Sequence, residues 1–121
     1  MEVIGGQVFP EERIRDHVVQ QASALTNGDE TTILAAAKTG FFHDLCMIAC
    51  HNDSDAAVTI NVRDVTAGTV RMMLTIPAAE AKSWIFYTPF KQDAVANVWT
   101  ADMGDYTNTT ISTFVQAVRK K

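Results

Sequence analysis

Residues 58–76, VTINVRDVTAGTVRMMLTI, decide the fold class of this chain. Apolar and polar residues alternate on both sides of the turn-forming tripeptide 66–68, TAG. A period of two is typical of a strand with one buried face, so the stretch predicts an antiparallel pair of strands. The apolar positions on the predicted buried face are Val58, Ile60, Val62, Val70, Met72, Leu74 and Ile76.

Six further segments have a strand-like composition and are separated by turn clusters such as TNGD at 26–29 and HNDSD at 51–55. The additional predicted strands are residues 17–25, 31–36, 41–50, 83–88, 95–101 and 107–119, with Pro89 ending the fourth. No long helical pattern is present. Short strands with regular turn signals predict an all-β, antiparallel β-sandwich with a jelly-roll-like arrangement over residues 17–121. Residues 1–16 lack a sustained period, and we expect a short extended N-terminal arm there.

The composition fits one globular domain. The chain has 121 residues, of which 47% are hydrophobic and 20% are charged, which excludes a wholly disordered, collagen-like or coiled-coil protein. No apolar run approaches the ~20 residues that span a bilayer. The first ten residues contain neither the basic nor the apolar region of a secretory signal, so no leader is expected.

The charge is unevenly distributed. The net charge is −4, whereas a general nucleic-acid binder is usually basic. Residues 1–30 hold six acids against Arg13 and Arg15, and the remaining chain is neutral. Two interpretations stay open for this acidic segment. It is either a solvated arm or an arm that docks on a basic partner surface.

The sequence contains no recognisable catalytic motif, so no catalytic or cofactor-binding residue is predicted. The cupin metal pattern is absent, because His43 and His51 are not part of a close histidine pair. Cys46 and Cys50 would lie ~13 Å apart on one strand, too far for an internal disulfide or a shared zinc ion. They are interpreted as small buried residues, and no metal is predicted.

Acidic residues near HNDSD allow a second metal hypothesis. Asp53, Asp55 and Asp64 could offer oxygen ligands to calcium, but the spacing matches no known calcium loop. Asn, Asp and Ser side chains also build turns through hydrogen bonds to the backbone, and that interpretation is favoured. His43 and Asp44 are adjacent in a predicted strand and would point to opposite faces, which argues against an acid–base couple.

Aromatic residues are concentrated near the predicted sixth and seventh strands. They could form a sugar-binding platform, but aromatic residues are also common in cores and subunit interfaces, and packing is favoured. In the last strand, Phe114 and Val118 lie opposite the apolar face that holds Ile111 and Val115. The candidate subunit-interface residues are Phe114, Val118, Trp84 and Trp99.

The order of segments from TTILAAAKTG (31–40) to WTADMGDYTNTTISTFVQAVRK (99–120) resembles capsid decoration, or cement, proteins of tailed bacteriophages with a jelly-roll fold. In that group a strand ends in a polar Asn/Ser turn and a T-[IV]-x-[VF] strand follows. Asn52, Ser54, Thr59, Ile60 and Val62 occupy those places. The similarity covers residues 17–119.

The resemblance implies a non-enzymatic virion structural protein on the outer surface of an expanded capsid, made in the host cytoplasm. It implies contacts with the major capsid protein through an N-terminal arm, and self-association as a homotrimer or, second, a dimer. Neither nucleic acid nor membrane is an expected partner. The arm residues expected to contact the capsid are the apolar ones, Val3, Ile4, Val8 and Phe9. A carbohydrate- or receptor-binding module of a phage tail or fibre is the alternative.

Overall fold

The computed structural model describes residues 18–121, which form eight strands. The predicted arm, residues 1–16, and His17 lie outside the described residues. Residues 18–121 contain no helical segment with the length and apolarity that a bilayer span requires. The strands are β1 (Val18–Leu25), β2 (Thr31–Leu34), β3 (Phe42–Asn52), β4 (Val58–Arg63), β5 (Val70–Ile76), β6 (Ala81–Phe90), β7 (Trp99–Asp102) and β8 (Ile111–Lys120).

The strands form two antiparallel sheets that pack face to face. The first sheet has the order β1-β8-β3-β6 and the second has the order β2-β7-β4-β5. The chain crosses repeatedly between the sheets, which is the topology of an eight-stranded jelly roll. The all-β, antiparallel sandwich predicted from the sequence is therefore confirmed.

The alternation in β4 explains how the core is built. Val58, Ile60 and Val62 are fully buried, and the residues between them are half-buried. The same alternation in β8, which belongs to the opposite sheet, places Ile111 and Val115 in the core. The core therefore lies between the two sheets, where each strand contributes every second side chain.

The sixth strand is longer than predicted. It begins at Ala81 and continues through Pro89 to Phe90. A proline is tolerated here because, among residues 18–121, β6 is the edge of its sheet, and one row of its backbone N–H groups faces no other strand of that range. The register with β3 shifts between Leu45 and Met47, so a bulge absorbs the irregular part of this strand.

Other strand ends also differ from the prediction. The third strand extends through His51 and Asn52, because both pair with β8. The seventh strand begins only at Trp99, since the preceding residues form turns that include Ala96 at a φ of 60°. The eighth begins at Ile111 rather than at 107, after Asn108 at a φ of 51°. These turns use left-handed conformations that a strand pattern does not reveal.

Candidate interaction surfaces

The outer face of the β1-β8-β3-β6 sheet is the surface with the most unusual chemistry, and we call it the neutral face. The strand register places its side chains in rows across the sheet, and the name covers four of them, because the next row, Phe42–Lys120, carries the charged Lys120. The rows are Ala24–Ser112–His51–Ala81, Ala22–Phe114–Ala49–Ser83, Gln20–Gln116–Met47–Ile85 and Val18–Val118.

These fourteen positions include no Asp, Glu, Lys or Arg. A typical soluble surface carries such residues at ~25–35% of its positions, so about four would be expected here. Asp44 pairs with Val118 at the margin of the face, but its side chain is buried and accepts a hydrogen bond from the backbone N–H of Gln92 at 3.1 Å. The centre of the face therefore offers neutral, largely apolar chemistry.

The neutral face has relief as well as composition. Ala22, Ala49, Ala81 and Ser112 surround a shallow hollow of about 360 Å³, and Phe114 also lines it. The adjacent row carries larger side chains. Ile85 is 62% exposed there and pairs across the strands with Met47. A hollow and a ridge thus lie side by side on one sheet.

The opposite outer face, on the β2-β7-β4-β5 sheet, is polar, and we call it the networked face. Arg63 forms an ion pair with Asp102, which also accepts a hydrogen bond from Asn61 Nδ2 at 3.1 Å. Thr59 and Thr75 hydrogen-bond to each other across two strands at 2.8 Å. Side chains on this face satisfy one another, so it has less unmet bonding capacity to offer a partner.

The structure separates the four predicted interface residues. Phe114 and Val118 lie on the neutral face and are half-buried in the single chain. Trp84 faces the other way and packs against the core. Trp99 is fully buried, and its Nε1 donates to the carbonyl oxygen of His43 at 2.7 Å. Trp99 therefore cannot contact a second subunit in this fold, and its placement at an interface is wrong.

The aromatic cluster near the sixth and seventh strands is mainly a packing feature, and its members are Trp84, Phe86, Tyr87, Phe90 and Trp99. Phe86 and Phe90 pack against the core, with ring centroids 5.7 Å apart, and Phe90 meets Trp99 edge-on at 6.1 Å. Tyr87 differs, because 96% of it is exposed. A sugar-binding platform requires several exposed rings, and Tyr87 is the single ring of this cluster that is almost fully exposed.

His43 belongs to a buried polar group that holds β3 in place. Its backbone N–H donates to Gln92 Oε1 at 2.8 Å, and its Nδ1 lies 3.1 Å from the carbonyl oxygen of Ala35. Burial lowers the pKa of His43, and the charge of Arg119 lowers it further, while the Ala35 carbonyl and Asp44 oppose the shift. The ring therefore has a structural hydrogen bond, and no carboxylate of residues 18–121 hydrogen-bonds to it.

The turn after β3 is built as predicted. Asn52 is fully buried, and its Nδ2 donates to the carbonyl oxygens of Ala56 and Ile76 at 2.8 and 3.1 Å. Its Oδ1 accepts from the backbone N–H and the hydroxyl of Ser54. Asp53 binds the backbone N–H of Thr110 at 2.7 Å. The turn interpretation of HNDSD is therefore confirmed.

The remaining candidate ligands are separated. Asp64 is buried and pairs with Arg71, whereas Asp53 bonds to the backbone of Thr110. Across residues 18–121, no group of three or more His, Cys, Asp or Glu side chains could hold a metal ion.

Both cysteines are free thiols. Cys50 is buried as expected, and burial raises its pKa to about 12. Cys46 lies at the β3 bulge and is half-buried. Burial, together with the charge of Asp44, raises its pKa as well. A thiol reacts as the thiolate, so neither environment favours nucleophilic chemistry.

Comparisons with known proteins bear on the fold. No family model and no curated protein matches the sequence. The structure is similar to PirA, with a TM-score of 0.53 and 10% identity over 80% of this chain and 92% of that one. It is also similar to the tobacco streak virus coat protein dimer (TM-score 0.45, 8% identity, 88% and 87% covered). A third similarity is to CBM4 (TM-score 0.39, 18% identity, 85% and 61% covered). The likeness to PirA supports the β-sandwich fold.

Proposed function

We propose that this chain is a non-enzymatic virion structural protein that decorates the outside of an expanded phage capsid. The observation that carries the proposal is the neutral face, since an exposed surface of this size without charged residues is typical of protein–protein contact. The fold and the sequence resemblance to decoration proteins support the same conclusion. On the capsid, the protein would bridge neighbouring capsomers and oppose the internal pressure of the packaged DNA.

The proposal assigns the contact with the major capsid protein to the N-terminal arm. Val3, Ile4, Val8 and Phe9 are its apolar residues. An extended segment of this kind can add a strand to a neighbour's sheet, where main-chain hydrogen bonds supply affinity. Many copies around a closed shell then gain stability through multivalency, even when each contact is weak.

Co-sedimentation with undecorated capsids tests the function. We expect saturable binding to expanded capsids at a fixed ratio per capsid subunit, and no binding to unexpanded proheads. Deleting residues 1–10 should weaken this binding while leaving the circular dichroism spectrum and thermal transition unchanged. Equal binding by the shortened chain would contradict the arm assignment, and absence of binding to both shells would contradict the decoration function itself.

The carbohydrate-binding alternative has one observation in its favour, the exposed ring of Tyr87. The rings of Trp84, Phe86 and Phe90 pack toward the core instead, which removes most of the platform that sugar stacking requires. Tryptophan fluorescence in the presence of a glycan panel distinguishes the two functions. A saturable spectral change that Tyr87→Ala abolishes would favour the binding module over the capsid protein.

A further inference from the structure

We infer that the neutral face is the contact surface for a second copy of this chain, and that two copies meet there around a two-fold axis. The inference deepens the proposed function, because it names the partner of this face. It requires no capsid for its test, so each proposal can fail while the other stands.

Charge favours a second copy as the occupant. Each chain has a net charge of −4 that is carried by residues 1–30, so two copies repel where these acidic segments approach. The neutral face is where two copies can meet without placing like charges opposite each other. The two glutamine side chains at its centre, Gln20 and Gln116, already bond to each other at 2.9 Å within one chain. Part of their hydrogen-bonding capacity is therefore already satisfied within each chain before the two copies meet.

The relief of the face suits its own copy. When one face meets itself, the two subunits are related by a two-fold axis, and every contact occurs twice. A rotation about an axis between the second and third rows would set Met47 and Ile85 of the ridge opposite Ala49 and Ser83 of the partner subunit, in and beside the hollow. Small side chains in the hollow leave room for the large side chains of the ridge.

The size of the face sets the strength to expect. Four strands at ~4.8 Å spacing and seven residues at ~3.3 Å each cover about 440 Å² in projection. Two copies would thus remove about 900 Å² in projection and somewhat more accessible surface, near the ~1,200 Å² at which stable interfaces begin. We expect a reversible dimer whose population depends on concentration.

Sedimentation equilibrium of the full chain, from micromolar to millimolar concentration, tests the dimer. The mass should rise from 13.3 kDa toward twice that value and stop there. Ile85→Lys should weaken the dimer by roughly 30-fold or more, the effect of an interface hot spot. Met73→Lys is the matched control, because Met73 is 68% exposed on the β2-β7-β4-β5 sheet, and it should leave the mass unchanged.

A charge-pair experiment tests the arrangement within the dimer. Ser83→Glu places a carboxylate opposite Ile85 of the second copy, and a mixture of this variant with Ile85→Lys should form dimers that neither variant forms alone. Wild-type chain that remains monomeric throughout the series would overturn the inference. Equal loss of dimer in Ile85→Lys and Met73→Lys would also overturn it, as would a mass that continues to rise beyond two copies.

Discussion

The two outer faces of the sandwich are made by the same kind of strand, yet they use their exposed side chains differently. On the networked face, Arg63, Asp102 and Asn61 bond to one another across β4 and β7. On the neutral face, the outward positions of β1 and β8 hold mainly alanine, glutamine and valine, together with Phe114. The polar groups of the networked face bond to one another within the chain, whereas the neutral face leaves uncharged surface exposed to water. The difference suggests that one face contributes to stability and the other to association.

The largest effect is expected at the edge of the networked sheet, with Arg71→Ala. Asp64 is 3% exposed and pairs with Arg71, which also stacks over the ring of Phe90 at 5.0 Å. Removing the guanidinium leaves a buried carboxylate that pairs with no other cation of residues 18–121. We expect the free energy of unfolding to fall by about 3 kcal/mol, measured by urea denaturation.

A second variant identifies the cause of that loss. Arg71→Ala combined with Asp64→Asn removes the unpaired charge and keeps an acceptor for the backbone N–H of Asp93, which bonds to Asp64 at 2.8 Å. The double variant should be more stable than Arg71→Ala alone. Equal stability of the two would show that lost packing on Phe90, rather than a buried charge, causes the effect.

Stability should also depend on pH through His43. This residue is buried and is not part of the neutral face, so its titration affects folding rather than the proposed dimer. Burial lowers the pKa of His43 below its ordinary value of 6.5, so the unfolded chain binds a proton at a higher pH than the folded chain. The contribution of His43 is therefore fully present above pH 6.5 and is lost as the pH falls toward the folded pKa. Thermal transitions measured at intervals below pH 6.5 should show this decline.

His43→Gln is the control for the pH dependence. An amide can still donate to the carbonyl oxygen of Ala35, and it does not titrate. The variant should show a shallower decline in stability over the same interval, because the acids contribute equally to both proteins. Parallel curves for wild type and variant would contradict the assignment to His43.

Alternation along single strands was readable from the sequence, but neighbours across strands were not. The pattern in β4 gave the buried positions Val58, Ile60 and Val62, and the pattern in β8 set Phe114 apart from Val115. Nothing local indicates that Ala22 and Ala49 flank Phe114, since register depends on tertiary pairing. The neutral face therefore became visible only when four strands were placed side by side.

Trp99 illustrates the same limit from the other direction. A large aromatic residue suits both a core and an interface. The sequence around Trp99 predicts a strand that begins at residue 95, whereas β7 begins at Trp99 itself. The structure decides for the core because the indole N–H reaches the carbonyl oxygen of His43. Pro89 misled in a similar way, because the penalty for proline in a strand depends on whether the strand lies at an edge.

A smaller loss is expected on the networked face itself, with Arg63→Met. The side chains of Arg63 and Asp102 are 18% and 21% exposed, so solvent screens the pair. Arg63 Nε also donates to the carbonyl oxygen of Gly68 at 2.9 Å. We expect about 1 kcal/mol of lost stability, with a smaller difference from wild type at high salt. Unchanged stability at low salt would remove the energetic distinction between the two faces.

The smallest effect on stability is expected on the neutral face, with Ile85→Lys. Ile85 is 62% exposed, so the single chain gains little from burying it, and surface substitutions usually stay within ~0.5 kcal/mol. Unfolding of this variant, measured at a concentration where the chain is monomeric, should match wild type. The same variant is expected to lose the dimer, so stability and association would be separated at one residue. A loss above ~1 kcal/mol in the monomer would instead mean that Ile85 supports the fold. A side chain that acts only in the dimer contact does not change the stability of the monomer.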